Sequence, residues 1–436
     1  MKKIKTNRFV RRLLRTLGVL IGLLVVWNVY YISTLSSFSF RENQPFPVTT
    51  GVTTPAYQNA IDTASQELAR IGTTSNFPSL SVAVGHQGKL IWSAAVGYQD
   101  LDQRIPATPK TQYRIGSSSK AVTSTGVARA VDQGFIDLDA IIGDSITNWS
   151  KKEWDFSMRQ LLSHTAGVGN YTDFGFASAK YTLCNCYKFK TAAEGLKVFD
   201  QYDLIFEPGT SFAYSTFDIN LASVVLEQAV STPFLEYLDQ AVFTPLDMRD
   251  TYGDHDQPKT EHFATFYETR DGYYREFRSF EQRYDINLSY KWAGGGIIST
   301  PSDLVKMGNA YLKDDSFLSH DTKRAFWTPQ KLNNEEVNEQ DYALGWRSYL
   351  AYENDLLLDG KTPVWMVHHG GVSKGSQNFL VIFPDYDLVI DGSINTNVED
   401  FGTFSKEMYK IANHFLMQIQ KEEHLMYREI KAATDG

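Results

Sequence analysis

The chain contains, at residues 114–122, the stretch Arg-Ile-Gly-Ser-Ser-Ser-Lys-Ala-Val. This pattern predicts a loop that ends at Gly116 and a helix whose first turn carries Ser117 and Lys120. Residues three apart lie on one face of a helix, so we expect the Ser117 hydroxyl within hydrogen-bond reach of the Lys120 amine. An amine that burial keeps neutral can take the proton of a serine hydroxyl and turn the serine into a nucleophile.

The motif on its own also fits a purely structural interpretation. Ser117 would then cap an amphipathic helix, and Lys120 would be a solvated surface charge. This is the only Ser-x-x-Lys in the 436 residues, and a glycine precedes it. The choice between the two interpretations therefore depends on the rest of the chain.

The N-terminal segment differs in composition from the remainder. Residues 1–40 contain no Asp or Glu, and seven Lys and Arg lie before an apolar run that begins at Leu17 and meets Trp27, Tyr30 and Tyr31. We interpret 1–16 as a basic cytoplasmic tail, 17–34 as a membrane anchor and 35–55 as a linker, with the domain at 56–430 outside the cytoplasm. A cleaved signal peptide and an Arg-rich organellar presequence are the alternatives, but no small-x-small cleavage site follows cleanly.

Charge and cysteine content limit the partners of the domain. Seven of the 42 Lys and Arg lie in the tail, so the other 35 face 51 Asp and Glu. This acidic balance gives no support to nucleic-acid binding and favours a small-molecule or peptide substrate.

The two cysteines, Cys184 and Cys186, fit a tight disulfide, free thiols or half of an intermolecular metal site. Two ligands without a nearby His pair do not make a zinc site, so we expect no metal and no cofactor.

The order of predicted elements indicates the fold class. After a helix at 57–70, strands are predicted at 80–85 and 89–96, and strands return late at 342–349, 364–368, 379–383 and 388–395. Helical segments dominate about 120–290, and a long amphipathic helix at 404–430 closes the chain. We therefore predict an α/β fold with a mainly antiparallel sheet, flanked by helices, built from the N- and C-terminal parts, with an inserted helical subdomain.

Two further segments of the sequence contain residue types that can assist a serine nucleophile, by proton transfer or by binding an oxyanion. Tyr214 and Thr216 precede a predicted helix, where a phenol near a lysine can relay protons. His368 and Gly370 end a strand, and the free N–H of Gly371 is placed to join that of Ser117 as an oxyanion hole. The alternatives are structural: Tyr214 would be a half-buried aromatic residue, and the segment from His368 to Gly371 would be an ordinary strand end with a turn.

Taken in order, these motifs resemble those of the penicillin-binding-protein and class C β-lactamase superfamily of serine hydrolases. The pattern Ser-x-x-Lys, Tyr-x-Asn and Lys-Thr-Gly or His-x-Gly corresponds to Ser117 with Lys120, Tyr214 with Thr216, and His368 with Gly370. The segment Leu-Leu-Ser-His-Thr-Ala-Gly at 161–167 resembles another signature of this superfamily. Segments such as Tyr-Lys-Trp-Ala-Gly-Gly-Gly at 290–296 are most similar to the mitochondrial β-lactamase-like serine protease and its bacterial relatives.

The resemblance implies a role for each residue. Ser117 is the acylated nucleophile, Lys120 its base and Tyr214 the proton relay, while Gly371 supplies the second oxyanion-hole amide. From the residue types alone, we also expect His368 to supply a hydrogen bond or positive charge beside the site, and Gly370 to let a substrate approach the backbone closely. Three departures stand out: Thr216 replaces Asn, His368 replaces Lys, and His369 stands where Thr is usual. The second weakens recognition of a β-lactam carboxylate, and we expect Lys374 in the following loop to supply a cation for an acidic substrate group instead.

The sequence therefore predicts a membrane-anchored serine hydrolase that acts through an acyl-enzyme on a peptide, a D-amino-acid amide or an ester. The alternative is a non-catalytic module on the same fold that either binds a ligand or has a structural role and self-assembles as a homo-oligomer.

Overall fold

The computed structural model describes residues 8–35, 39–40, 46–75, 77–270, 273–277 and 286–434. The first seven residues of the predicted tail and parts of the predicted linker, 36–38 and 41–45, lie outside them.

Strands come from both ends of the chain and, in short pieces, from its middle. They are β1 (Ser39–Phe40), β2 (Val48–Thr53), β3 (Ser79–His86), β4 (Lys89–Asp100), β5 (Ile105–Pro106), β6 (Tyr113–Arg114), β7 (Tyr252–Gly253), β8 (Tyr267–Arg270), β9 (Tyr273–Glu276), β10 (Ile297–Ser299), β11 (Arg347–Tyr352), β12 (Val364–Ser373), β13 (Ser376–Phe383) and β14 (Leu388–Ile394).

Helices fill the middle of the chain and flank the strands. They are α1 (Arg8–Leu35), α2 (Gln58–Thr74), α3 (Ser119–Asp132), α4 (Met158–Leu162), α5 (Phe176–Cys184), α6 (Thr216–Val230), α7 (Phe234–Leu238), α8 (Trp292–Gly295), α9 (Pro301–Lys313), α10 (His320–Trp327) and α11 (Phe401–Thr434). Two short 3₁₀ turns matter for the site: Gly116–Ser118, directly before α3, and Ser289–Lys291, directly before α8.

The main sheet is antiparallel and joins the two ends of the sequence. Its order is β11-β12-β13-β14-β3-β4-β2, with β5 paired to β4. The central junction pairs β14 with β3, so that Ile390 lies opposite Val84. The predicted antiparallel sheet built from N- and C-terminal parts is therefore confirmed.

The sheet separates two hydrophobic cores. On β14, Val389 packs into the core shared with α9 and the helical middle, whereas Ile390 packs into the core shared with α2 and α11. Successive side chains of a strand point to opposite faces, so both faces of these central strands are buried. This burial explains the short apolar runs in these strands, such as residues 388–390, by which the sequence predicted them.

The N-terminal helix stands apart from these cores. Within α1, the segment Arg12–Tyr30 is long and apolar enough to cross a membrane, and none of it is buried against the rest of the protein. Length and composition fit a single membrane anchor and a signal sequence equally.

Several predicted boundaries were wrong. Residues 48–53, assigned to the linker, form β2 and pair with β4, and β4 runs four residues beyond its predicted end at 96, to Asp100, where it pairs with β5. The strand predicted at 342–349 begins only at Arg347, and β12 runs five residues beyond the predicted end, to Ser373. This longer β12 carries the backbone of Gly370 and Gly371 along the site.

Candidate active site

Ser117 and Lys120 meet where β6 turns into α3. The backbone takes a positive φ of 54° at Gly116, and a Cβ there would lie 2.7 Å from the backbone of Val372, so only glycine fits. Ser117 follows in the 3₁₀ turn and is half-buried, and Lys120 lies in the first turn of α3. The Lys120 Nζ is 3.2 Å from the Ser117 Oγ, as the spacing predicted.

Lys120 is held in surroundings that favour its neutral form. Its side chain is fully buried, and its Nζ donates to the carbonyl of Gly294 at 2.6 Å. Burial lowers the pKa of Lys120 from 10.5 to about 7, and the cations of Lys291 and Arg347 act in the same direction. A neutral amine keeps a lone pair, so near pH 7 it can accept the Ser117 hydroxyl proton.

Tyr214 lies beside this pair. The Lys120 Nζ is 4.8 Å from the centroid of the Tyr214 ring, and burial raises the pKa of the phenol, while a hydrogen bond with Ser117 and the Arg347 cation work against that rise. The Arg347 Cζ lies 5.4 Å from the same ring centroid. The phenol is therefore protonated at neutral pH and is placed to exchange a proton with the serine oxygen.

A buried pair behind Tyr214 fixes the ring. His164 and Asp218 are fully buried, with the His164 Nδ1 3.0 Å from the Asp218 Oδ2 and the imidazole 4.5 Å from the Tyr214 ring centroid. Burial lowers the pKa of His164 and raises that of Asp218, which favours the neutral pair. The Ser215 N–H also donates to the His164 Nδ1, so we infer that this nitrogen accepts and that the carboxyl of Asp218 carries the proton.

The edge of β12 lies against the nucleophile. A Cβ on Gly371 would be 1.8 Å from the Ile115 carbonyl oxygen and 3.0 Å from the Ser117 nitrogen. The Ser118 hydroxyl donates to the carbonyl of His369, so the backbone polar groups of His369 point toward the Ser117 turn. In an antiparallel strand those of Gly371, two residues further, point the same way. The backbone of Gly371 therefore lies against the turn that carries Ser117.

The adjacent histidines lie on opposite faces of β12, and the assignment of His368 to the catalytic group was wrong in its geometry. The His368 ring lies 5.0 Å from the ring centroid of Tyr349 and 5.5 Å from that of Phe379, in a groove away from Ser117. His369 instead points to the site: its Nε2 is 3.0 Å from the Tyr342 hydroxyl, and its ring centroid is 6.3 Å from that of Tyr214. The cause is the two-residue period of a strand.

Three other predicted residues have different surroundings. Thr216 is buried at the start of α6, and its backbone oxygen and methyl group would lie within 2.7 Å of a Cβ on Gly294, so it packs behind the site. A Cβ on Gly370 would face the Phe401 ring, on the His368 side of the strand. Lys374 lines the cleft next to the nucleophile.

That cleft has a volume of about 440 Å³, and aromatic rings and lysines form much of its wall. Its lining includes Tyr171, Phe174, Tyr290, Lys291 and Lys374. It adjoins the nucleophile because Val372, which also lines it, packs on Gly116.

Sequence reasoning missed several of these neighbours. Arg347, Tyr342 and Lys291 come from segments distant in sequence, and no local motif marks them as partners of Tyr214 or Lys120. His164 lies within the quoted segment at 161–167, so its position was available but its contact with Asp218 was not. Cys186 is disulfide-bonded, so of the three alternatives for the cysteines the disulfide is the one that the structure shows.

Comparison with known proteins agrees with this geometry. Residues 62–409 match the Beta-lactamase family, and the chain belongs to that family of serine β-lactamase-like hydrolases. The human protein named serine beta-lactamase-like protein LACTB, mitochondrial, is 28% identical over an alignment 408 residues long with its gaps, and the match covers 76% of this chain and 73% of that protein.

Two solved structures share the fold. The D-amino acid amidase from Ochrobactrum anthropi SV3 has a TM-score of 0.63 at 21% identity and covers 84% of this chain and 99% of its own. The octameric penicillin-binding protein homologue from Pyrococcus abyssi has a TM-score of 0.59 at 20% identity, with 78% of this chain and 73% of its own covered.

Proposed function

We propose that the chain is a membrane-anchored serine hydrolase that acts outside the cytoplasm on a peptide, a D-amino-acid amide or an ester. The observation that carries this proposal is the 3.2 Å approach of a fully buried lysine to a half-buried serine hydroxyl. A lysine whose pKa is about 7 is half neutral at neutral pH, which a surface lysine is not. Burying a cation without an anionic partner costs stability, and a catalytic base is a reason to retain it.

In the acylation step, the Ser117 oxygen attacks the substrate carbonyl and its proton passes to the Lys120 amine. The amides of Ser117 and Gly371 donate to the oxyanion that forms. The bond to the leaving amine or alcohol breaks, and the leaving group takes a proton through the Tyr214 phenol, which Lys120 reprotonates. The product is an ester of Ser117.

In the deacylation step, water attacks this ester and gives up a proton to the same lysine and phenol pair. The bond between the carbonyl carbon and the Ser117 oxygen breaks, and the proton returns to that oxygen. A free carboxylic acid leaves, and the enzyme regains its starting state.

Labelling with a fluorescent fluorophosphonate tests the nucleophile. We expect covalent labelling of the wild type and none of Ser117→Ala, with Ser118→Ala, one residue further, as the matched control. Absence of labelling in the wild type would favour the non-catalytic binding module. Equal labelling of wild type and Ser117→Ala would place the nucleophile elsewhere.

Rates on a nitrophenyl ester, a D-Ala-D-Ala peptide and a cephalosporin then rank the substrate classes. We expect the ester to be fastest and the cephalosporin slow, because a histidine stands at the usual lysine position of the third motif and lies away from the nucleophile.

The anchor is proposed from the 19-residue apolar span Arg12–Tyr30, which follows a basic segment. Fractionation of cells that express the full chain, with protease added to intact cells or spheroplasts, tests it. A soluble full-length protein, or a domain protected from the protease, would contradict it.

A further inference from the structure

The cleft beside Ser117 contains two lysines that the proposed catalytic steps do not use. Lys291 and Lys374 both line it, and both are partly buried. Within the part of the chain that the structure describes, neither ammonium group forms an ion pair with a carboxylate. Burial lowers the pKa of Lys374, and the nearby Lys291 cation lowers it further, so the two charges repel each other. A domain rich in acidic residues thus places two cations in one cleft, and none of the described carboxylates forms an ion pair with either.

One buried ion pair, between Arg114 and Asp254, holds the backbone near both lysines. The Arg114 guanidinium donates to the Lys374 carbonyl at 3.1 Å and lies 3.9 Å from the Asp254 carboxylate. Asp254 accepts the Leu288 N–H at 3.0 Å, and its carbonyl accepts the Trp292 indole N–H at 2.8 Å. One buried ion pair therefore fixes the β12–β13 turn and the turn before α8.

The fixed backbone and partial burial distinguish these two lysines from ordinary surface lysines. A surface lysine gives up side-chain entropy when it binds an anion, so its contribution is small. Lys291 and Lys374 are partly buried, which restricts their side chains before an anion binds, and their backbones are fixed on two sides of the cleft, as in other preorganised sites. The aromatic wall adds to this, because the Lys291 Nζ is 5.7 Å from the ring centroids of both Tyr171 and Tyr290.

We propose that this cleft binds the anionic part of the substrate, one or two carboxylates beside an apolar or aromatic group, through Lys291 and Lys374. A carboxylate between the two ammonium groups removes their mutual repulsion and accepts charge-assisted hydrogen bonds. The aromatic rings of Tyr171 and Phe174 contact the apolar portion. This inference rests on the proposed hydrolase function and adds its substrate class.

The test compares pairs of esters that differ only in charge. One pair carries the carboxylate on the acyl side, 4-nitrophenyl hemiglutarate against 4-nitrophenyl butyrate. The other carries it on the leaving group, the butyrate esters of 3-hydroxybenzoate and 3-hydroxybenzamide. The readout is the ratio of kcat/KM for the anionic to the neutral member, because this ratio cancels changes in the reactivity of Ser117 itself.

We expect the wild type to prefer the anionic member of at least one pair, and which pair shows the preference identifies the side of the scissile bond that occupies the cleft. Lys374→Met and Lys291→Met should each lower that ratio by about ten-fold, the loss of a hydrogen bond to a charged group. Lys361→Met, an exposed lysine elsewhere, should leave it unchanged. A wild-type ratio below one in both pairs, or ratios that both lysine variants leave unchanged, would overturn the proposal.

A binding measurement separates this proposal from the hydrolase function. Isophthalate carries an aromatic ring and two carboxylates, and calorimetry on Ser117→Ala measures its binding without turnover. Binding that weakens about ten-fold in Ser117→Ala/Lys374→Met, with benzamide as the neutral control, supports the anion site even if no ester is hydrolysed. No isophthalate binding together with active ester hydrolysis would refute the site and leave the hydrolase function standing.

Discussion

The pH dependence of acylation gives a direct test of the role assigned to Lys120. Burial shifts its pKa from 10.5 to about 7, which corresponds to about 5 kcal/mol against the protonated form. The fraction of neutral amine is then about one half at pH 7 and about one tenth at pH 6. An unshifted lysine would be neutral in only about three molecules in ten thousand at pH 7.

We therefore expect kcat/KM for a neutral ester to rise with pH along a single acid limb whose midpoint lies near 7. Stopped assays with 4-nitrophenyl butyrate between pH 5.5 and 9, corrected for spontaneous hydrolysis, measure it. Lys291→Met removes a nearby cation that lowers the pKa of Lys120, so the limb should move to higher pH. Lys361→Met should not move it.

Two results would refute this reasoning. A rate that still increases ten-fold per pH unit above pH 8.5 would show that the pKa of the Lys120 amine is not lowered and that the amine is still mostly protonated there. A rate that is flat from pH 5.5 to 8 would show that no group with a pKa near 7 controls the step. Tyr214 is not an alternative source of this limb, because burial raises the pKa of its phenol.

Three further predictions test the surroundings of the nucleophile. Gly371→Ala should reduce kcat at least 100-fold, because its methyl group would collide with the Ile115 carbonyl and displace an oxyanion donor; Gly370→Ala, whose methyl group faces away, should lower thermal stability with a much smaller loss of rate. His369→Gln should lower kcat more than His368→Gln, and equal rates in the two would contradict the face assignment. The free energy of unfolding measured in urea should be at least about 2 kcal/mol higher for Asp218→Asn than for Asp218→Ala, because the side-chain amide of Asn still donates a hydrogen bond to the buried imidazole.

The central strands could be predicted from the sequence because burial on both faces gives each of them a short apolar run. β3, β4 and β14 begin or end within a few residues of their predicted bounds. β2 was missed because it lies at the edge of the sheet, where its exposed Thr residues, a glycine and flanking prolines are typical of a linker.

The candidate site divides in the same way. Ser117 and Lys120 lie one helical turn apart, so local geometry alone predicted their contact. The two histidines of β12 are adjacent in sequence, and the choice between them depends on which face of the strand meets α3. That choice is set by the pairing of β12 with β11 and β13, which no local pattern contains.

The same cation that we assign to substrate binding also depresses the pKa of the base, and this coupling has a measurable consequence. Lys291 lowers the pKa of Lys120 in the free enzyme. A carboxylate bound at Lys291 offsets that charge, so the pKa of Lys120 should rise in the complex. The profile of kcat/KM reports the free enzyme, whereas that of kcat reports the complex. With a preferred anionic ester, the acid limb of kcat should therefore lie at higher pH than that of kcat/KM, whereas a neutral ester should show a smaller separation. Equal separations for the two esters would mean that the anion does not bind close enough to Lys291 to be felt by Lys120.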